Sequence, residues 1–249
     1  MDASGPHGIA TSRDPPVMRG EPGATGAVAV VAAHQEADRI AATVRALLRI
    51  PGVRRVVVAD DGSRDGTAAA ALAAGAAVIR SGRNRGKGAA LERAIDAAGP
   101  AEVILLTDAD LAESAGALEA VLGPVLAGDA DLAVAVPPAP PAGAGGFGLV
   151  RRSAAWMIER ASGYRARAPL SGQRAVTRRC LEACRPLAPG FGVEAAMTAD
   201  AARLGFRVAE VEAPVVHRFT GRDAAGFGHR AVQGADIVRA MVPRVAGWR

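Results

Sequence analysis

The chain has 249 residues, 50% of them apolar and only 3% aromatic, so it can form an aliphatic core and lacks the composition of a collagen-like or wholly disordered protein. No charge-free apolar run reaches the ~18 residues of a membrane span, and no apolar signal segment stands near the start, which favours a cytoplasmic protein. The formal net charge is +5, and residues 147–185 carry nine basic and two acidic side chains, so we expect an anionic partner.

Apolar strands alternate with helices through the first half of the chain. Residues 1–26, rich in glycine and proline, predict a disordered tail. Apolar runs predict five strands, at residues 27–33, 53–59, 76–80, 102–107 and 132–136. Helical spacing predicts the intervening helices, from residue 40 to a stop at Pro51-Gly52 and at residues 65–74, 88–98 and 114–126. This alternation predicts a doubly wound α/β fold, with a mostly parallel sheet and helices on both faces.

The second half is less regular. The proline-rich segment 137–146 predicts a flexible loop. Beyond it, the pattern predicts helices at residues 149–161, 193–204 and 224–241, a strand at 207–213, and a segment at 171–177 that is not assigned. Cys180 and Cys184 are expected to be two buried thiols of a helix rather than a redox pair.

Carboxylates directly follow three of the predicted strands, in the segments His34-Gln35-Glu36, Asp60-Asp61-Gly62 and Asp108-Ala109-Asp110. Ligands of such sheets bind beyond the carboxyl ends of the strands. Helix capping accounts for a single aspartate, but facing carboxylates repel one another unless a cation lies between them. Because oxygen ligands of this kind suit Mg²⁺ or Mn²⁺, the sequence predicts a divalent metal site.

A glycine-rich loop, SGRNRGKG, precedes the fourth strand and opens a predicted helix. Its spacing does not match a P-loop, and Gly88 stands where that motif needs serine or threonine. Lys87 is the only lysine of the chain and Asn84 the only asparagine. A compact ammonium group beside exposed backbone N–H groups suits a diphosphate or a nucleobase edge.

These motifs resemble, in order and spacing, those of family 2-type glycosyltransferases with the GT-A fold. The segments that carry the resemblance are AAHQEADRI, VVVADDGSRDGT, NRGKGAAL and LLTDADL, within residues 27–136. The resemblance implies a Rossmann-like GT-A sheet and a set of residues that contact the donor nucleotide: His34, Glu36, Asp60 or Asp61, Gly62, Lys87, Asp108 and Ala109. It also makes Asp108-Ala109-Asp110 the DXD motif, in which Asp110 holds Mg²⁺ or Mn²⁺ on the donor diphosphate and Asp108 lies near the ribose or the metal.

Two later segments, PLSGQRA and GFGVE, resemble the acceptor side of glucosyl-3-phosphoglycerate synthases and of dolichol-phosphate-mannose-synthase-like enzymes. The resemblance implies that Ser171, Gly172, Arg174 and Glu194 contact the acceptor. It also makes His217 a metal ligand together with Asp110 and Asp108. The segment GGFGLVRR lacks the arginine and threonine with which the phosphoglycerate enzymes hold their acceptor phosphate, so the acceptor stays open.

The expected function is metal-dependent transfer of a hexose from a nucleotide-diphosphate sugar, a UDP-sugar first and GDP-mannose second, to a phosphorylated small molecule or a polyprenyl phosphate. Lys87 and the metal at Asp110 would stabilise the departing diphosphate. Glu194 and Asp200 are the candidates for the base that an inverting enzyme needs. A retaining enzyme needs no such base, so both stereochemical outcomes, inversion and retention, stay open.

One domain is expected, with residues 27–136 as the nucleotide-sugar-binding half and residues 137–249 as the acceptor-binding half. The second half ends in a basic helix, which leaves open a peripheral contact with the inner face of the membrane, and a homodimer is also left open. The main alternative is a sugar-nucleotide sensor or pseudo-enzyme, because His34-Gln35 departs from the family pattern. A nucleotidylyltransferase is disfavoured, because this sequence lacks the glycine-rich basic loop expected after the first strand of such an enzyme. A nucleic-acid binder is disfavoured as well, because no aromatic residues are interleaved with the arginines.

Overall fold

The computed structural model describes residues 26–138, 148–217 and 224–247, and of residues 224–232 it describes the backbone only. The predicted tail, residues 1–26, lies outside these ranges except for its last residue. Most of the predicted loop 137–146 also lies outside them.

The strands form one seven-stranded sheet in the order β3-β2-β1-β4-β6-β5-β7. Their bounds are β1 Ala27–Ala33, β2 Val53–Asp60, β3 Ala77–Arg80, β4 Val103–Asp108, β5 Leu132–Val136, β6 Arg174–Thr177 and β7 Val208–Glu212. Only β6 runs antiparallel to its neighbours, β4 and β5. The segment that the sequence left unassigned is therefore a strand in the middle of the sheet, and the predicted mostly parallel α/β fold is confirmed.

The helices cover both faces of the sheet, as predicted. Their bounds are α1 Ile40–Leu48, α2 Thr67–Ala73, α3 Lys87–Ala97, α4 Glu119–Leu126, α5 Gly148–Ser162, α6 Arg178–Ala183, α7 Val193–Arg203 and α8 Ala224–Val245. The helix predicted for residues 114–126 begins instead as a 3-10 segment, Ala112–Leu118, which is entered through a left-handed Ala112 with φ of 50°. Among the described residues, no helix combines the length and the apolar character that a membrane span requires.

Two aliphatic layers sandwich the central strands. On β1, Ala29 and Val31 pack with α1 and α4, whereas Val28 and Val30 pack with α3 and α7. Because both faces are buried, the strand reads as a continuous apolar run without polar alternation. A third cluster joins α5 and α8 to α7. The two thiols are buried as predicted: Cys180 lies in α6, and Cys184 follows at its end.

The sheet reverses its order at β1, which pairs with β2 on one side and with β4 on the other. A crevice at the carboxyl ends of the strands is the usual ligand site at such a switch point. The register places Ala33 beside Asp60 and Ala32 beside Asp108. The strand ends that carry the predicted carboxylates are therefore neighbours at one edge of the sheet.

Candidate functional site

Lys87 lies at the centre of this edge and contacts two carboxylates. Its Nζ is 2.5 Å from Asp108 Oδ1, at the end of β4, and 2.6 Å from Glu194 Oε1, in the first turn of α7. Burial by itself would lower the pKa of Lys87, but Asp108 and Glu194 outweigh burial and raise that pKa above its usual range. The lysine is therefore a permanent cation at the point where the two halves of the chain meet.

Asp108 is ionised because of this partner. Burial would raise its pKa, but the charge and hydrogen bond of Lys87, together with His217 and Gln173, lower that pKa. Gln173 Nε2 donates a hydrogen bond to Asp108 Oδ2 at 2.8 Å. The first aspartate of the DXD motif thus bonds protein groups on both of its oxygens.

The second aspartate, Asp110, lies beside His217, with His217 Nδ1 3.2 Å from Asp110 Oδ1. Burial would lower the pKa of His217, but the hydrogen bond to Asp110 and the charges of Asp108 and Asp110 raise it. These are two of the three predicted metal ligands. Within the described ranges, no group of three His, Cys, Asp or Glu side chains is arranged to hold a metal ion. Asp108, the third predicted ligand, contacts Lys87 and Gln173 instead.

Helix α1 fixes the backbone of the DXD segment. Thr43 Oγ1 donates to the Ala109 carbonyl oxygen at 2.8 Å and accepts from the Ala112 N–H at 2.8 Å. Arg39 Nη1 donates to the Asp110 carbonyl oxygen at 3.0 Å. Neither side chain was predicted from the sequence, although one signal was present, since Thr43 is a polar residue within the apolar stripe of this helix.

The two aspartates at the end of β2 have different surroundings. Asp60 Oδ1 accepts from the Ser63 N–H at 2.9 Å, and Asp60 Oδ2 lies 3.2 Å from Arg80 Nε. Asp61 Oδ2 accepts from the N–H groups of Arg85 and Gly86 at 2.9 and 2.7 Å. The sequence left open which of the two contacts the donor, and in this structure the carboxylate of Asp61 is occupied by the glycine-rich loop.

The turn after β1 brings its own donor candidates to the same edge. Gln35 has a left-handed φ of 61°, and its N–H donates to Ser63 Oγ at 2.9 Å. The Glu36 N–H donates to Thr67 Oγ1 at 2.9 Å. His34 is exposed and Glu36 is half-buried, so both predicted donor residues lie at the mouth of the crevice.

The predicted acceptor turn, residues 171–173, reaches the site because β6 is antiparallel to β4. The first residue of β6, Arg174, pairs with Leu106 near the carboxyl end of β4, so the turn that precedes it lies beside Asp108. Gly172 is required here, because a Cβ would stand 2.6 Å from Asp108 Oδ2 and 2.7 Å from Lys87 Nζ. Of the predicted acceptor residues, Gly172 and Glu194 are therefore brought directly to Lys87.

Arg174, another predicted acceptor residue, lies almost fully buried beneath this turn. The residue is only 1% exposed, and its guanidinium donates to the Ser171 carbonyl oxygen and to Thr198 Oγ1, both at 2.8 Å. Burial lowers the pKa of Arg174 to about 10, against the opposing effect of nearby carboxylates, first among them Glu194. Arg174 thus supports the acceptor turn and α7 from beneath.

Asp200, the other candidate base, is buried and paired with an arginine. Both of its oxygens accept hydrogen bonds from the guanidinium of Arg244, at 2.6 to 2.9 Å, and the Asp200 and Arg244 side chains are about 5% exposed. A carboxylate sealed in this way cannot take a proton from an acceptor hydroxyl. It joins α7 to α8 instead.

Comparison with known proteins agrees with the resemblance seen in the sequence. The model of the family described as glycosyl transferase family 2 matches residues 28–180. Among curated proteins, none matches the sequence. Glucosyl-3-phosphoglycerate synthase from Mycobacterium tuberculosis in complex with Mg²⁺ and UDP is 26% identical, with a TM-score of 0.75, and the match covers 89% of this chain and 80% of that chain.

Two further solved structures are similar over the same share of this chain. The same synthase in complex with Mn²⁺, UDP and glucosyl-3-phosphoglycerate is 25% identical, with a TM-score of 0.72 and 80% of that chain covered. A structure described as a mycobacterial protein is 27% identical, with a TM-score of 0.74 and 75% of that chain covered. These likenesses confirm the predicted GT-A architecture.

Proposed function

The chain belongs to glycosyl transferase family 2, and we propose that it transfers a hexose from a UDP-sugar to an anionic acceptor, with Mg²⁺ or Mn²⁺ as cofactor. The observation that carries this proposal is Lys87, a cation with 16% of its side chain exposed, placed between Asp108 and Glu194 at the switch point of the sheet. The similar synthase binds UDP with Mg²⁺ or with Mn²⁺, which favours UDP over GDP as the nucleotide.

Asp110 and His217 are the residues that would hold the metal. Their carboxylate and imidazole groups are 3.2 Å apart, and such a pair suits Mn²⁺ and, through its oxygen, Mg²⁺. When bound, the metal supplies positive charge to the departing diphosphate. The support for this assignment is the pairing of the two side chains and the anchoring of the Asp110 backbone by Arg39.

Lys87 supplies the protein's own stabilisation of the leaving group. Negative charge develops on the diphosphate as the glycosidic bond breaks, and a fixed ammonium group in a buried site stabilises that charge more strongly than one in water. The start of α3 also presents backbone N–H groups that suit phosphate oxygens. Glu194, held at the same ammonium, is the carboxylate proposed to contact a hydroxyl of the sugar or the acceptor.

A phosphorylated acceptor, either a small molecule or a polyprenyl phosphate, is proposed for the second half of the chain. The similar synthase was solved with phosphoglyceric acid as well as with UDP-glucose. In this chain, Arg151 and Arg152 are exposed at the start of α5, whereas Arg165 and Arg167 are paired with Glu159 and Glu212. The first pair is therefore the better candidate for an acceptor phosphate. Contact with the membrane surface and a homodimer stay predictions of the sequence.

The test is a thermal-shift panel of UDP, GDP, UDP-glucose and GDP-mannose, each with Mn²⁺ and with EDTA, on the wild type and on Asp110→Asn. A nucleotide at ~100 times its dissociation constant stabilises the protein by about 2.7 kcal/mol. We expect a shift with UDP and Mn²⁺ that is lost with EDTA and in the variant. No shift with any nucleotide would overturn the proposal. Binding without any hydrolysis or transfer of the sugar would favour the sensor instead.

A further inference from the structure

The glycine-rich loop that carries Lys87 is attached to the sheet by one carboxylate, that of Asp61. Asp61 Oδ2 accepts hydrogen bonds from two successive backbone N–H groups, those of Arg85 at 2.9 Å and Gly86 at 2.7 Å. Gly86 is the residue before α3, and its N–H also donates to Asn84 Oδ1 within the loop, at 3.0 Å. Asp61 therefore adds, from another segment of the chain, the acceptor of the Arg85 N–H and a second acceptor for Gly86.

The second oxygen of Asp61 ties the body of the helix to the same point. Asp61 Oδ1 lies 3.1 Å from Arg93 Nη2, and Arg93 lies within α3. The carboxylate is 6% exposed. Loop, helix and strand end are thus held by one buried carboxylate, and hydrogen bonds between a carboxylate and a guanidinium belong to the stronger class.

The packing beside Asp61 shows that the loop after β2 is in direct contact with the glycine-rich loop. Gly62 has φ of 80°, and a Cβ there would stand 2.6 Å from the Arg83 carbonyl carbon and 2.8 Å from the Asn84 nitrogen. Gly86 also has a left-handed φ, 88°. The close approach at Gly62 brings the N–H groups of Arg85 and Gly86 within reach of Asp61.

We propose that Asp61 is a positioning residue, which holds the backbone of Arg85 and Gly86 so that Lys87 faces the donor diphosphate. Asp61 acts through this loop and does not itself touch the nucleotide. The inference rests on the proposed function, since it assigns the loop to a nucleotide-diphosphate donor. It separates two adjacent aspartates that the sequence could not distinguish.

The experiment compares Asp61→Ala and Asp61→Asn with Asp131→Ala as the matched control. Asp131 also accepts a backbone N–H and a guanidinium, both from Arg207, but it precedes β5 at the opposite edge of the sheet. Hydrogen exchange of residues 81–88 is measured without nucleotide, and binding of UDP with Mn²⁺ is measured by calorimetry. The asparagine variant keeps one acceptor oxygen for the loop, so it serves where the alanine variant does not fold.

We expect exchange in residues 81–88 to rise at least tenfold in Asp61→Ala and the dissociation constant of UDP to rise about tenfold. Asp61→Asn should be intermediate, and Asp131→Ala should leave both quantities at their wild-type values. Unchanged exchange together with weakened UDP binding would overturn the inference, because it would mean that Asp61 contacts the nucleotide directly. Raised exchange with unchanged UDP binding would overturn it as well.

Failure of the wild type to bind UDP would contradict the proposed function rather than this inference. The exchange measurement needs no nucleotide, so it would still decide whether Asp61 holds the loop.

Discussion

The ammonium group of Lys87 lies 2.6 Å from the carboxylate of Glu194, and this ion pair joins the glycine-rich loop of the first half to the start of α7 in the second. Gly88 has no side chain, which lets the start of α3 lie against the carbonyl oxygen of Ala188, in the segment that leads to α7. The two halves of the chain are therefore connected through one cation.

Replacing Lys87 by Met should abolish most of the transfer activity and also destabilise the protein. The variant leaves the buried Glu194 and the half-buried Asp108 without their cation. Loss of one partner of a buried pair costs about 3–5 kcal/mol. Loss of one charge-stabilising group also lowers kcat by about 10²–10³-fold. Urea unfolding and sugar transfer are measured on the same preparation, with Lys87→Arg as the charge-conserving control. Activity close to that of the wild type in Lys87→Met would contradict the role given to this residue.

Removing the metal with EDTA should abolish transfer, and His217→Ala should weaken Mn²⁺ binding. His217 and Asp110 face each other at 3.2 Å, so each variant removes one of two proposed ligands. We expect the Mn²⁺ dissociation constant to rise at least tenfold in His217→Ala and in Asp110→Asn, as measured by calorimetry in the presence of UDP. Equal Mn²⁺ affinity in the wild type and both variants would show that the metal binds elsewhere.

Replacing Gly172 by Ala should impair transfer with little loss of stability. The added Cβ would meet the ends of the Asp108 and Lys87 side chains, which can move aside, so the free energy of unfolding should change by only about 1 kcal/mol or less. The displaced side chains would no longer hold their positions, and kcat/KM should fall at least tenfold. Gly116→Ala is the control, because a Cβ there meets nothing within 4 Å. If both alanine variants are equally active, the close approach at Gly172 has no functional role.

Breaking the buried pair of Asp200 and Arg244 should destabilise the fold without removing a catalytic group. Arg244→Met removes the hydrogen-bonded partner of the buried Asp200 and leaves only Arg203, 3.8 Å away. We therefore expect a loss of about 3 kcal/mol in urea unfolding, the lower end of the range for a broken buried pair. The double variant Asp200→Leu with Arg244→Met should recover most of this stability and keep the transfer activity. A folded double variant without activity would restore Asp200 as the candidate base.

Much of the fold was predictable because its elements are locally encoded. The strands at residues 27–33 and 132–136 were predicted with their exact bounds, since buried parallel strands are uninterrupted apolar runs. The stop at Pro51-Gly52 ended α1 within a few residues of its observed end, because proline cannot continue a helix. The site candidates came from the same logic, since carboxylates that follow strands collect at one edge of a parallel sheet.

The sequence alone thus determined the alternation of elements, the edge at which the site lies and the importance of its single lysine. Only the tertiary structure decided that β6 inserts antiparallel between β4 and β5, because strand pairing depends on partners distant in the chain. It also decided that Lys87 pairs with Glu194, that Asp61 faces the loop and that Arg174 is buried. These outcomes depend on the direction in which each side chain leaves the backbone, which is set by packing between distant segments and not by local sequence.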